Sequence, residues 1–188
     1  FMKFVKILET NDNFYTMEKV NGKCISIFNK INDFNLAGRW LRCFHDLTYD
    51  SKNKTSFLFG DFIPSHIFID HNYKEISAID PGTSFGNYGE IEIDISRFLV
   101  GLFQTKNFDV IKLNRVLVAF LSGYGEEKIN FSNLNNFINL RIYKNYEKTI
   151  KLNTGLFYHF LAYYFLIISK IKYQLIKKNL KRVLTKII

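Results

Sequence analysis

The sequence predicts an α+β chain in which helix dominates. Short apolar runs bounded by turn residues recur between positions 4 and 80, longer segments with helical spacing fill the remainder, and only two prolines interrupt 188 residues. That length is enough for one domain with its own core. A hydrophobic share of 47% and a charged share of 23% are those of an ordinary globular chain. No Ser/Gly-rich tract marks a disordered linker, and no internal repeat is present.

Taken in order, FVKILE (4–9) and FYTMEKV (14–20) are expected as strands, joined into a hairpin across Asn11, Asp12 and Asn13 and ended by Asn21 and Gly22. Residues 25–48 are expected to be helical, because Leu36, Ala37, Trp40, Leu41 and Phe44 recur at helical spacing. FLFG (57–60), IFID (67–70) and ISAID (76–80) are expected as short strands, with HNYK as the hairpin turn between the last two. Helices are expected at 92–103, 108–122, 131–150 and 156–187. In the last, Tyr164, Ile168, Ile171, Leu175, Ile176, Leu180, Val183 and Ile187 follow i+3/i+4 steps, while Lys170, Lys172, Lys177, Lys178, Lys181, Arg182 and Lys186 fill the other faces. Such a stripe packs into a core or lies on an anionic membrane surface. The apolar run LFYHFLAYYFLII (156–168) falls short of the roughly 20 residues a membrane span needs.

The net charge of +9 is unevenly spread. Residues 128–188 hold 12 Lys/Arg and one acid, Glu147, for +11, whereas the first 127 hold 14 basic and 16 acidic side chains, for −2. A basic tail is either the solvated face of helices or an attraction for an anionic partner, such as a phosphorylated ligand or anionic lipid. No aromatic-basic motif points to a specific nucleic acid. Cys24 and Cys43 lack metal-ligand spacing, and no signal peptide is recognisable. Both features fit a reducing cytoplasm, with peripheral attachment to the inner membrane if the tail meets lipid. His45 and His159 are expected as packing or surface residues, and His71 as an exposed turn residue.

The chemistry is expected in three aspartates. Asp61 follows the apolar run FLFG, Asp80 ends ISAID directly before Pro81 and Gly82, and Asp94 opens a helix. Acids at the ends of adjacent short strands can converge on one point, where they repel unless a cation or shared proton lies between them. Hard carboxylate oxygens with few other donors suit Mg²⁺. Each acid alone could instead be a turn or helix cap, Asp94 above all.

GDFIPSHIFID, then ISAIDPG, then EIDISRFL resemble the catalytic half of the aminoglycoside phosphotransferase and choline kinase group, small-molecule kinases with the protein-kinase-like fold. Their pattern is His-Gly-Asp, four residues, Asn, a hairpin, Ile-Asp-Phe or Ile-Asp-Trp, and an Asp opening a helix. LAGRWLRCFHDLT resembles the helix before the catalytic loop, FLSGYGEE a tract ending in Gly-Tyr, and TMEKVNG the hinge between lobes. The resemblance covers residues 4 to about 127. It implies a mostly helical C-lobe (23–188) with a catalytic loop at 59–70 and a metal-binding segment at 76–86. Residues 1–22 are expected to be only the end of an N-lobe with the hinge, the rest of that lobe coming from the same or another chain. It further implies an ATP- and Mg²⁺-dependent phosphotransferase acting on a hydroxyl of a small-molecule or anionic acceptor, or of a sugar-containing lipid. Asp61 is then the catalytic acceptor of the hydroxyl proton, Asp80 the Mg²⁺ ligand and Asp94 the brace of the loop. Phe68 and Ile79 form the floor under the adenine, Met17 borders the pocket, and the Glu18 carbonyl and Val20 N–H meet the adenine edge.

Two positions depart from the pattern. Phe59 stands where the family has His, and His66 stands where it has the Asn that helps hold the second metal ion. An imidazole can offer nitrogen to a metal, orient phosphate through N–H, or merely fill space. The alternative function is therefore a catalytically impaired, pseudokinase-like binding module.

Overall fold

The computed structural model describes residues 2–10, 15–26, 29–72, 74–82, 86–103, 109–152 and 156–184. In chain order the strands are β1 (Met2–Phe4), β2 (Ile7–Thr10), β3 (Tyr15–Met17), β4 (Lys23–Cys24), β5 (Ser56–Phe57), β6 (Ile67–Asp70), β7 (Glu75–Ala78) and β8 (Tyr88–Gly89). The helices are α1 (Ile31–Leu47), α2 (Glu92–Phe103), α3 (Val110–Tyr124), α4 (Phe131–Leu152) and α5 (Leu156–Leu184). One sheet has the order β1-β7-β6-β4; β2 pairs with β3, and β5 with β8. The mostly helical α+β class is the one the sequence predicts.

Several boundaries differ from expectation for identifiable reasons. The strand expected at 4–9 is two strands. β1 runs parallel to β7, with Lys3 opposite Ser77, and the Trp40 indole donates to the Lys3 carbonyl at 3.3 Å. β2 turns away to pair with β3, and the Glu18 carboxylate accepts from the Lys6 N–H at 2.9 Å. The expected turn at Asn11–Asn13 lies outside the described residues. The helix expected from 25 begins at Ile31, because Ile25 donates to the Ile67 carbonyl at 2.8 Å and prolongs the sheet edge. The strand expected over 57–60 stops at Phe57: Leu58 still donates to the Asn87 carbonyl at 2.9 Å, but the Phe59 and Gly60 N–H groups are drawn to a buried carboxylate instead of a neighbouring strand. β7 stops at Ala78: Ile79 donates to the His66 carbonyl at 2.9 Å, and Asp80 takes a φ of +56°.

Helix α5 presents a different face from the one its sequence suggests. Ala162, Leu166, Ser169, Lys172 and Tyr173 are buried, whereas Tyr164, Ile171 and Leu175 are exposed along with Phe160 and Tyr163. Three members of the expected apolar stripe, Tyr164, Ile171 and Leu175, are thus turned outward. Polar anchors fix this rotation: Lys172 Nζ donates to the Phe103 carbonyl at 3.0 Å, and the Tyr173 hydroxyl donates to Asn135 Oδ1 at 2.6 Å. No helix among the described residues is long and apolar enough to cross a membrane.

The core beneath the loop at 59–66 is aromatic. Trp40 stacks on Phe44 and Phe62, Phe59 meets Trp40 and Phe44 edge-on, and Phe98 stacks on Phe120 at 4.0 Å between ring centroids. Edge and offset contacts of this kind add to the area that the rings bury. Phe59 is therefore a packing residue at the position where the resembled family has His.

Helices α1 and α3 cross backbone to backbone. A Cβ on Gly38 would strike the Phe120 carbonyl, and one on Gly123 would strike the Asn35 carbonyl. Asn35 Nδ2 also donates to the Ala119 carbonyl at 3.2 Å. Because both obstacles are main chain, no side chain can swing aside. Gly38→Ala and Gly123→Ala are each expected to cost about 3 kcal/mol of stability, read as an earlier urea unfolding midpoint with unchanged slope.

Candidate active site

The loop at 59–66 is fixed from below. Asp94, in the first turn of α2, is fully buried, and its carboxylate accepts from the Phe59 N–H at 2.6 Å and the Gly60 N–H at 2.9 Å. His45, near the end of α1, supplies a third partner, with Nε2 3.3 Å from Asp94 Oδ2. On its other side His45 Nδ1 lies 2.9 Å from the Tyr124 hydroxyl. An ionised carboxylate only accepts, so Nε2 carries the hydrogen and Nδ1 accepts from the Tyr124 O–H. Burial raises the Tyr124 phenol well above its ordinary pKa, and the charges of Glu92, Asp46 and Asp94 push it further up. Tyr124 thus stays a donor. His45 is buried, as a packing residue would be, but it also carries a polar link.

Past Gly60 the chain brings Asp61 to the surface, its side chain 34% exposed between the buried Phe59 and Phe62. Pro64 opens a single 3₁₀ turn, Pro64–His66, that folds His66 back over the loop. The His66 Nδ1–H donates to the Asp61 carbonyl at 3.1 Å, and the same nitrogen lies 3.7 Å from Asp61 Oδ2. Its Nε2 lies 3.7 Å from Asp80 Oδ2. Asp80 reaches this point because Gly82 packs on the backbone of Gly60 and Asp61, where a Cβ would approach to 2.8 Å. The Gly82 N–H donates to the Phe59 carbonyl at 3.2 Å. Asp80 itself is in the left-handed region at φ +56°, a conformation Asp tolerates better than most side chains and one that gathers at functional sites.

The other oxygen of Asp61 faces elsewhere. Arg97 Nη1 is 3.9 Å and Arg141 Nη2 3.8 Å from Oδ1. Burial lowers the pKa of Arg141, the like charge of Arg97 lowers it further, and Asp61 partly offsets both. Arg97 stands one helical turn past Asp94, a spacing visible in EIDISR. Arg141 is counted in the basic tail, and nothing near it in sequence marks it as a neighbour of Asp61.

Asp61, His66, Asp80 and Asp94 are therefore brought together. Phe68 and Ile79 lie on and after the neighbouring strands β6 and β7, both half-buried, with Phe68 opposite Cys24 of β4. Met17, Glu18 and Val20 lie on β3 and the segment after it, where the Glu18 carboxylate is engaged by Lys3 at 3.4 Å and by the Lys6 N–H. Among the described residues, no group of three or more His, Cys, Asp or Glu side chains forms a metal cage. Two carboxylates flanking one imidazole do suit a hard cation that takes its other ligands from water and phosphate. With His66 Nδ1 donating to a carbonyl, Nε2 is the ring nitrogen that faces the Asp80 carboxylate.

Two outcomes follow. Asp94→Asn leaves one oxygen where two accept, and is expected to cost about 2–3 kcal/mol, read as a lower thermal midpoint. Glu92, buried at the start of α2, accepts from the Asn130 N–H at 2.7 Å. Burial first, then the charge of Glu90, raises its pKa above 4.5, against the lowering by its hydrogen bonds. The folded state therefore favours protonated Glu92, and this contribution to stability fades as pH rises above the ordinary Glu value. Glu92→Gln, uncharged at every pH, is expected to gain thermal stability over the native chain progressively from pH 4 to pH 7.

No family model matches this chain, and no curated protein matches it. Among solved structures it is similar to the amicoumacin kinase hAmiN in complex with AMP-PNP, Ca2+ and Ami, with a TM-score of 0.61 and 13% sequence identity over 89% of this chain and 69% of that one. The likeness shows that the chain has a kinase-like fold.

Proposed function

We propose that this chain is an ATP-dependent phosphotransferase, or the C-lobe of one, acting on a hydroxyl of a small molecule or sugar-containing lipid. The observation that carries the reading is the convergence of Asp61 and Asp80 on His66, each carboxylate 3.7 Å from a ring nitrogen. The kinase-like fold, shared with a protein solved with AMP-PNP and Ca2+, supports it.

In this reading Asp61 receives the proton of the acceptor hydroxyl as that oxygen attacks the γ-phosphorus of ATP. A new O–P bond forms, the bond from the γ-phosphorus to its bridging oxygen breaks, and ADP leaves with the electron pair. Asp80, with His66 beside it, would hold Mg²⁺, which would neutralise charge on the phosphate oxygens. Asp94 keeps Asp61 aimed by holding the two preceding N–H groups. Phe68 and Ile79 offer an apolar floor to the adenine, bordered by Met17, and the Glu18 carbonyl and Val20 N–H address its edge.

A second reading is favoured by one observation. His66 stands between the two carboxylates, 3.7 Å from each, where the resembled pattern has the Asn that helps hold the second metal ion. The chain is then a nucleotide-binding module without turnover.

Measured on the full-length chain, Asp61→Asn is expected to lower ATP-dependent phosphorylation by about 10²- to 10⁴-fold while leaving AMP-PNP affinity intact. Undiminished turnover in that variant removes Asp61 from the reaction. Calorimetric titration with ATP separates the two readings. Binding that strengthens with Mg²⁺ and weakens in Asp80→Asn supports the transferase, and Mg²⁺-indifferent binding without ADP release supports the module.

A further inference from the structure

The side of Asp61 turned away from His66 meets two arginines. Both also line a cavity of about 120 Å³ between α2 and α4, with Ile93, Ser96, Phe137, Leu140 and Lys144. Three cationic side chains line it, and the acid that both arginines face is Asp61. Arg97 and Arg141 are 16% and 29% exposed, so their guanidinium groups are largely withdrawn from water. Neither is within 3.5 Å of the carboxylate, so neither makes a tight bidentate pair with it. Two half-buried like charges with one loosely held counter-charge leave a positive surplus and unused N–H donors. Both cost stability unless an anion completes the set. Planar guanidinium forks suit phosphate in particular.

The position of the surplus identifies its ligand. Asp61 Oδ2 faces His66, whose other ring nitrogen lies 3.7 Å from Asp80, the side assigned above to the nucleotide phosphates and metal. Asp61 Oδ1 faces Arg97 and Arg141, so an anion gripped by the two guanidinium groups lies across the carboxylate from that side. We propose that the pocket between α2 and α4 binds a phosphate group already carried by the acceptor, so that the substrate is a phosphorylated sugar or polyol whose free hydroxyl reaches Asp61. The proposal rests on the phosphotransferase reading for the word acceptor; the anion pocket itself does not.

The test uses the full-length chain with two probes, inorganic phosphate and AMP-PNP with Mg²⁺, titrated singly and together. Phosphate is expected to bind and to remain bound when AMP-PNP is added. Arg97→Gln and Arg141→Gln are each expected to weaken phosphate binding at least about tenfold, the effect of losing a charge-assisted pair. Lys148→Gln, also on α4 but outside the pocket lining, is expected to leave it unchanged. Should Arg141→Gln not fold, Arg141→Lys keeps the charge without the fork and is expected to weaken binding by a smaller factor. Displacement of phosphate by AMP-PNP overturns the proposal, because the arginines then grip the nucleotide. Absence of phosphate binding, or binding indifferent to both arginine substitutions, overturns it as well. Arginine-dependent phosphate binding with no AMP-PNP binding keeps the anion pocket and rejects the transferase reading instead.

Discussion

Asp94 has no contact with water, yet it must carry or shed a charge. Phe59, Gly60 and His45 all donate to its carboxylate. A bare carboxylate in that position costs several kcal/mol, and three donors offset the cost only if the chain arrives in one conformation. That demand shapes the neighbourhood. The pairing begun by β5 is not carried past Leu58 because the amides of Phe59 and Gly60 are claimed by α2, and Phe59 turns its ring into the aromatic core. Asp61 then emerges two residues after an anchored amide, so its direction is set before any ligand is present.

The second constraint is close backbone approach. Gly82 lies on the backbone of Gly60 and Asp61, which carries Asp80 to within reach of His66. Any larger residue there separates the two acids. Asp61 consequently works as a divider. One oxygen faces His66, which in turn faces Asp80, and the other faces Arg97 of α2 and Arg141 of α4. The charge excess of the second half of the chain is thereby not all solvated surface, since Arg141 contributes to this pair.

The sequence reveals what is local. GDFIPSH, ISAIDPG and EIDISR each hold their spacing within a few residues, and the structure brings their acids together. The helices at 92–103 and 131–150 are legible for the same reason, because periodicity is a short-range property. What escapes is set by distant partners. The strand at 57–60 is shortened by Asp94, more than 30 residues away. The inward face of α5 includes Lys172 and Tyr173, which reach Phe103 and Asn135, while Tyr164, Ile171 and Leu175, which periodicity alone would bury, are exposed. His45 reads as packing because its two partners, Tyr124 and Asp94, lie far along the chain. Arg141 sits 80 positions from Asp61 with no motif around it.

The line Tyr124–His45–Asp94 joins the last residue of α3 to the amides of the loop through side chains shielded from solvent. Gly38 and Gly123 seat α1 and α3 against one another with no slack in that joint. The loop thus inherits its curvature from a helical crossing rather than from its own letters. Grafting the residues from Phe59 to His66 onto another scaffold would transfer the text and leave the shape behind, unless the aspartate, the imidazole and the tyrosine travelled with them.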